Sequence, residues 1–332
     1  MKAAWYERKG PARDVIRFGE LPDPHPGPGQ VRVRVAVSAV NPTDIKARSG
    51  YAGYTAMAGP RVVPHQDGAG TIDATGTGVS EARLGEHVWV YEAQRDGRDL
   101  GTAAEYVVVP EANAVPLPQG VPFDVGACLG VPGMTAHRCL FMDGGIQGQT
   151  VLVAGGAGAV GSATVQLAKW SGARVLATVS REEQAEVARA AGADVVVYRK
   201  TQDVAERVME ATGGEGVDRV VEVDLEANVV VDRTVLKPNG VVACYAAPTA
   251  ESAPHMPFAQ QLWKALTVHW VLVYLMPPEA HRAAARDVNA CLRAGRYRPH
   301  VARRFRLDEV AAAHEAQESG KVIGKLLVDV AP

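Results

Sequence analysis

The segment VLVAGGAGAVG, Val151 to Gly161, decides how the rest of the chain is read. A short apolar run enters a cluster of glycines, and SATVQLAKW follows at once with the spacing of a helix. Strand, glycine turn and helix in immediate succession is the context in which Gly156-x-Gly158-x-x-Gly161 reads as a dinucleotide fingerprint. Glycines let the backbone turn tightly and approach a pyrophosphate, while the first helical turn offers unpaired N–H groups and a positive dipole end. The competing reading is a packing turn without a ligand, and the surroundings decide between them.

Downstream, the apolar runs RVLATV, DVVVY, VDRVVEV, GVVACYA and TVHWVLVY follow in order. Helix-like segments (SATVQLAKWSG, REEQAEVARAAG, QDVAERVMEATGG, ANVVVDRTVLKPNG) separate the strands, and several end on Gly, as a helix C-terminus prefers. Six apolar strands, most joined by helices, predict an α/β fold: a doubly wound, parallel, six-stranded sheet over residues 125–277. Upstream, QVRVRVAVSAV alternates, and GAGTIDATG, GEHVWVYEA and AAEYVVVP are short strands broken by Gly and Pro. Residues 1–124 therefore read as an irregular antiparallel or barrel-like β domain. Strand texture resumes after EAHRAAARDVNACLRAG, so residues 278–332 are expected to rejoin the first domain.

The end of the second strand selects the nucleotide. About 20 residues beyond the glycines an acid would bind the ribose hydroxyls of NAD. Ser180 stands there with Arg181 beside it, a hydroxyl and a cation suited to a 2′-phosphate, so NADPH is favoured. Glu182 and Glu183 fit the first turn of the next helix. A solvated surface charge is the plainer reading of Arg181.

Composition narrows the class. Lys and Arg total 35 against 37 for Asp and Glu, a net charge of −2, which offers no global field for nucleic acid or an anionic membrane. No run is long and apolar enough to span a bilayer, and MKAAWYERKG carries charges where a signal peptide is apolar. Four cysteines stand singly, which fits a reduced cytoplasm and neither a disulfide framework nor a cysteine-rich zinc site.

These residues resemble the zinc-independent quinone oxidoreductases (zeta-crystallin-like) of the medium-chain dehydrogenase/reductase superfamily. The likeness spans nearly the whole chain: VNPTDIKARSG, VPGMTAHRCL, the nucleotide segment, AGADVVVYR and GKVIGKLLV. It implies a GroES-like catalytic domain beside a Rossmann domain, with the cofactor in the cleft between them. In zinc-dependent relatives the catalytic ligands fall where this chain has Asn41, Gln66 and Val131. Two amides and an alkyl group make no zinc site, so no metal is expected, and His65, one place from a ligand position, reads as a turn or cleft residue.

The resemblance places Asn41 and Thr135 near the nicotinamide and its ribose. It places Gly156, Gly158, Ala159, Val160 and Gly161 on the pyrophosphate, and Ser180, Arg181 and Tyr198 around the 2′-phosphate. Tyr245 aligns with an aromatic lining the cofactor cleft, against the plainer reading of a buried strand tyrosine. Close relatives often carry Lys where Gln184 stands, which puts more weight on Arg181. Some carry Tyr where Lys46 stands; Lys46 is a candidate for polarising an acceptor carbonyl or donating a proton, with Asp44 orienting it, against the plainer reading of a helix-surface lysine. Tyr51, Tyr54 and Met57 are candidates for a mobile rim over a flat acceptor. Trp263, Trp270 and Tyr274 read as core or interface aromatics, and the family pairs the strand equivalent to TVHWVLVY across a two-fold axis, implying a homodimer.

Without a Lewis acid, hydride transfer suits an acceptor that delocalises the charge itself. The leading expectation is an NADPH-dependent quinone oxidoreductase without metal or flavin. The alternative is an enal, enone or acrylate (double-bond) reductase acting on a conjugated carbonyl. A non-enzymatic, crystallin-like NADPH-binding protein is a third reading.

Overall fold

A computed structural model describes residues 1–51 and 54–330. It contains two compact units, Met1–Val131 with Val301–Pro332, and Pro132–His300. The divisions differ from those expected at 124/125 and 277/278: helix Pro278–Arg293, assigned by texture to the first domain, lies in the second unit.

The first unit carries β1 (Lys2–Trp5), β2 (Arg17–Glu20), β3 (Gln30–Val40), β4 (Asp67–Thr75), β5 (His87–Val90), β6 (Tyr106–Pro110) and β7 (Ala114–Pro116). The second carries β8 (Thr150–Val153), β9 (Arg174–Val179), β10 (Val195–Tyr198), β11 (Val217–Glu222), β12 (Leu236–Cys244) and β13 (Thr267–Trp270). The chain then returns to the first unit with β14 (Val301–Arg306) and β15 (Lys325–Asp329).

The alternation in β3 sets the first sheet. Val31, Val33, Val35 and Val37 are buried, whereas Arg32 faces outward and pairs with Asp73 of β4 at 2.9 Å. Each buried valine is worth about 1.5–3 kcal/mol, so a one-residue slip that turned all four to solvent is far too costly. The sheet runs β14-β15-β3-β4-β5-β7, with β6 also paired to β3, while β1 and β2 form a separate antiparallel ribbon. β3 is antiparallel to β4, β6 and β15. The C-terminal return expected from texture is therefore a strand inside the first sheet.

The second unit is a parallel sheet of order β10-β9-β8-β11-β12-β13. Its central strand β8 is buried along Val151, Leu152 and Val153, as continuous apolar runs covered on both faces should be. The order reverses between β8 and β11, the switch point beside which nucleotides bind at the C-terminal ends of the strands. Two elements are shorter than their sequence texture. The helix expected over 227–240 ends at Val235, where Pro238 lies ahead and Lys264 Nζ donates to the carbonyls of Arg233, Thr234 and Leu236. TVHWVLVY is a strand only from Thr267 to Trp270, then a single 3₁₀ turn over Val273–Leu275. Among the described residues, no helix is long and apolar enough to cross a membrane.

Candidate functional site

The nucleotide turn is built from backbone. Gly155, not Gly156, takes the left-handed conformation at φ +68° that turns the chain out of β8. Its N–H is held by the Thr178 hydroxyl at 3.1 Å, and that of Gly156 by the Thr178 carbonyl at 3.0 Å. Helix Ala159–Trp170 follows with Gly158 as its N-cap and no side-chain cap, so the first-turn N–H groups stay open. A Cβ on Gly161 would meet the Gly155 carbonyl oxygen at 2.2 Å, and one on Gly156 the Ala177 Cβ at 2.6 Å. One on Gly158 meets nothing closer than 3.4 Å. Two glycines thus bring turn, helix and strand together, and the third leaves open backbone where a pyrophosphate approaches. The residues present fit a dinucleotide.

At the end of β9 the Ser180 N–H donates to Gln184 Oε1 at 2.7 Å, so Gln184 shapes this corner through its amide. Ser180 Oγ accepts from Arg199 Nε at 2.8 Å. Arg199 was missed by sequence reasoning; the parallel β9–β10 register carries it beside Ser180, and its only sequence signal is its place just after the last residue of the neighbouring strand. Arg181 is exposed and 3.4 Å from Glu183. Tyr198 points elsewhere: its hydroxyl donates to Glu182 and accepts from Arg189 NH2 at 2.9 Å. In the same unit Thr135 is buried in helix Gly130–Phe141, and Tyr245 follows β12 with its N–H on the Glu222 carbonyl at 3.1 Å.

The second cluster lies in the first unit and is built from side chains far apart in sequence. Asn41 caps helix Pro42–Ser49. Its amide Nδ2 donates to Asp67 Oδ2 at 2.8 Å, and its Oδ1 accepts from Lys325 Nζ at 2.7 Å. Lys325 also donates to the Val40 carbonyl at 3.0 Å and stands 3.9 Å from Asp67. The Val131 N–H, held by the Asp67 carboxylate at 2.9 Å, completes the set. Burial pushes the Asp67 carboxyl up to about 6 against the pull of Lys325.

Asp44, expected to orient Lys46, accepts instead from the Asn41 N–H at 2.7 Å, and burial pushes its carboxyl up to about 8. Lys46 is half-buried, with Nζ 4.8 Å from the centre of the Tyr51 ring, and burial lowers its pKa. Tyr54, Met57 and Gln66 line a cavity of about 230 Å³. Ala52 and Gly53, between the rim candidates Tyr51 and Tyr54, lie outside the described residues.

His65, expected to be a turn or cleft residue, does stand in a turn, but a buried one. It is fully buried with φ +83° and belongs to a chain of hydrogen bonds. Arg48 Nε reaches His314 Nδ1 at 3.2 Å, His314 Nε2 reaches His65 Nε2 at 3.0 Å, and His65 Nδ1 reaches Ser38 Oγ at 2.8 Å. Ser38 then meets Thr102 Oγ1 at 2.7 Å, and Thr102 donates to the Asp67 carbonyl at 2.6 Å. Burial pushes His65 down to about 3 and His314 well below the ordinary histidine range.

The donor chemistry at Asn41, Gln66 and Val131 does not fit zinc. There is no thiolate, imidazole or carboxylate in the set, and a lysine ammonium already lies against the Asn41 oxygen. Among the described residues no group of three or more His, Cys, Asp or Glu is placed to hold a metal ion.

Comparison with known proteins matches residues 27–119 to the alcohol dehydrogenase GroES-like domain and residues 159–289 to the zinc-binding dehydrogenase domain. A quinone oxidoreductase of Rattus norvegicus is 30% identical over 295 residues, 87% of this chain and 85% of the relative. A 2-haloacrylate reductase of a Burkholderia species is also 30% identical, over 300 residues and 87% of each chain. A mycobacterial protein solved in complex with NADPH superposes with a TM-score of 0.84 at 27% identity, covering 99% of both chains. With its GroES-like and Rossmann units and these relatives, the chain belongs to the quinone oxidoreductase-like family of medium-chain dehydrogenases/reductases.

Proposed function

We infer that this protein is an NADPH-dependent quinone oxidoreductase that works without metal or flavin. The observation that carries the cofactor reading is the β9 corner: a serine hydroxyl with two guanidiniums, Arg181 and Arg199, and no carboxylate in the position that would bind ribose hydroxyls. NADPH supplies the hydride when bound. The open N–H groups from Ala159 onward hold its pyrophosphate, Ser180 with Arg181 and Arg199 takes the 2′-phosphate, and Asn41, Thr135 and Tyr245 border the nicotinamide end. Tyr198 supports the corner by fixing Glu182 and Arg189. A quinone spreads the incoming charge over its ring, so the protein's task is position and exclusion of water.

A second reading, an enal, enone or acrylate reductase, is supported by the Burkholderia relative, as similar to this chain as the rat enzyme. Such an acceptor builds charge on one carbonyl oxygen and leaves a carbon needing a proton, so it gains more from Lys46. The test is NADPH oxidation across quinones, enones and acrylates, with NADH and acceptor-free blanks. Quinone turnover with NADPH preference supports the first reading. Turnover confined to double bonds, reduced about 10²-fold or more by Lys46→Met, supports the second. Equal affinity for NADH and NADPH would remove the cofactor assignment.

The assembly we propose is a homodimer through the open side of the edge strand β13, where Phe258, Trp263, Trp270 and Leu275 are 78%, 80%, 64% and 73% exposed. Trp270→Glu should yield a monomer in sedimentation. The cytoplasmic location we propose goes with the four single cysteines, and the absence of a nucleic-acid partner with the near-neutral charge.

A further inference from the structure

The two buried imidazoles have only one consistent arrangement of hydrogens. Arginine has no acceptor, so Arg48 Nε–H donates and His314 Nδ1 is bare. His314 therefore carries its hydrogen on Nε2 and donates to a bare His65 Nε2. His65 is then protonated on Nδ1 and donates to Ser38. The other end imposes the same direction. A carbonyl only accepts, so the Thr102 hydroxyl donates to Asp67, Ser38 donates to Thr102, and Ser38 is left to accept from His65. Every hydrogen points from Arg48 towards Asp67. An added proton on either ring sets N–H against N–H.

What the chain holds is a strained turn. His65 has φ +83°, a conformation that costs a non-glycine residue roughly 1–2 kcal/mol. A turn that needed only its backbone shape would be better served by glycine. The next two residues are Gln66, whose amide donates to the Gln94 carbonyl at 2.8 Å in the wall of the cavity, and Asp67, which holds Asn41. Arg48 is anchored in turn on the Gly10 carbonyl and Glu318.

We propose that His65 and His314 are positioning residues for the acceptor side of the site: their one-way hydrogen-bond chain holds the 64–67 turn that sets Gln66 and Asp67. The proposal rests on the reductase reading above. Neither ring touches a reacting atom; their main effect falls on acceptor binding through Gln66 in the cavity wall, and NADPH is reached only at one remove, through Asp67 and Asn41.

Imidazole ¹⁵N spectroscopy on the unmodified protein tests the arrangement directly. The expected signals are a neutral Nδ1–H tautomer for His65 and a neutral Nε2–H tautomer for His314; any other pair overturns the proposal, whatever the protein reduces. His65→Gly tests the consequence, since glycine relaxes the backbone while removing the ring. We expect the KM for the acceptor to rise about tenfold or more while the NADPH dissociation constant stays within about twofold. An unchanged acceptor KM, or equal losses on acceptor and NADPH, overturns it. His314→Gly with added imidazole should recover part of the lost acceptor affinity, and failure of every rescue counts against the proposal. A parent protein that fails to oxidise NADPH with any quinone, enone or acrylate would remove the reductase reading and leave the tautomer result standing.

Discussion

The two candidate clusters are made of different materials. The nucleotide turn uses backbone N–H groups, glycines and one helix start, all between strand Thr150–Val153 and helix Ala159–Trp170. The first-unit cluster is organised by side chains, Asn41, Asp67 and Lys325, up to 284 residues apart, with the Val40 carbonyl and the Val131 N–H as backbone partners. A backbone site is sensitive to the volume of its glycines, whereas a side-chain site depends on mutual satisfaction of buried charges.

The largest effect should follow from Lys325→Met. It leaves Asp67 and the Asn41 oxygen buried without their cation, and breaking a buried pair typically costs ~3–5 kcal/mol. Chemical denaturation should register that loss, and a change under about 1 kcal/mol would mean the cluster tolerates an unpaired acid. Next, the glycines should separate by role. Gly161→Ala drives a Cβ into the Gly155 carbonyl and should abolish NADPH binding along with second-unit stability. Gly158→Ala, with only ordinary contact at 3.4 Å, should leave the melting temperature almost unchanged yet weaken NADPH about tenfold by filling the open backbone. Calorimetric titration beside thermal melts distinguishes the two, and equal behaviour would remove the distinction.

A third test falls on the β9 corner. Arg199→Ala should weaken NADPH by ~1.5–3 kcal/mol, the worth of a hydrogen bond to a charged group, and leave NADH nearly unchanged. Arg181→Ala should do the same, and loss with only one of them would assign the phosphate to a single guanidinium.

The smallest effect is graded with pH. His65 is held down to about 3 and His314 well below the ordinary histidine value of 6.5, so the stability they provide is full above pH 6.5 and is progressively lost as pH falls below it. Each imidazole contributes a slope of up to ~1.4 kcal/mol per pH unit. Asp44 and Asp67, raised by burial, titrate in the opposite sense between their ordinary value near 3.8 and about 8 and 6. The parent must therefore be compared with His314→Gln, whose unfolding free energy should fall less steeply between pH 6.5 and 4. Parallel curves would show that the rings are not neutral partners.

The same contrast governs what the sequence discloses. Strand, glycines and helix are contiguous, so the nucleotide turn and the parallel sheet were legible from local spacing. Arg199 was not, because strand register, a tertiary property, brings it to Ser180. Asn41 was singled out, but its partner Lys325 looked like the start of a closing strand in GKLLV. His65 reads from sequence only as a turn or cleft residue, one place from a ligand position, because no partner is near it in the chain. Its partner stands on helix Val310–Glu318, 249 residues away, where nothing local marks it. Asp44 was paired with the wrong neighbour for the opposite reason: nearness in sequence suggested Lys46, while the N-terminus of the helix claimed the carboxylate.

The placement of β15 bears on how the chain is made. The second unit is one unbroken stretch and can complete its sheet while synthesis continues. The first unit cannot, since β15 pairs with the Val37–Val40 end of β3 and leaves the ribosome last. From Val40 to Asp329 is 289 residues (329 − 40), which at 5–20 residues per second is roughly 15–60 s of translation. Throughout that interval this end of β3 presents bare N–H and C=O groups to every other nascent strand.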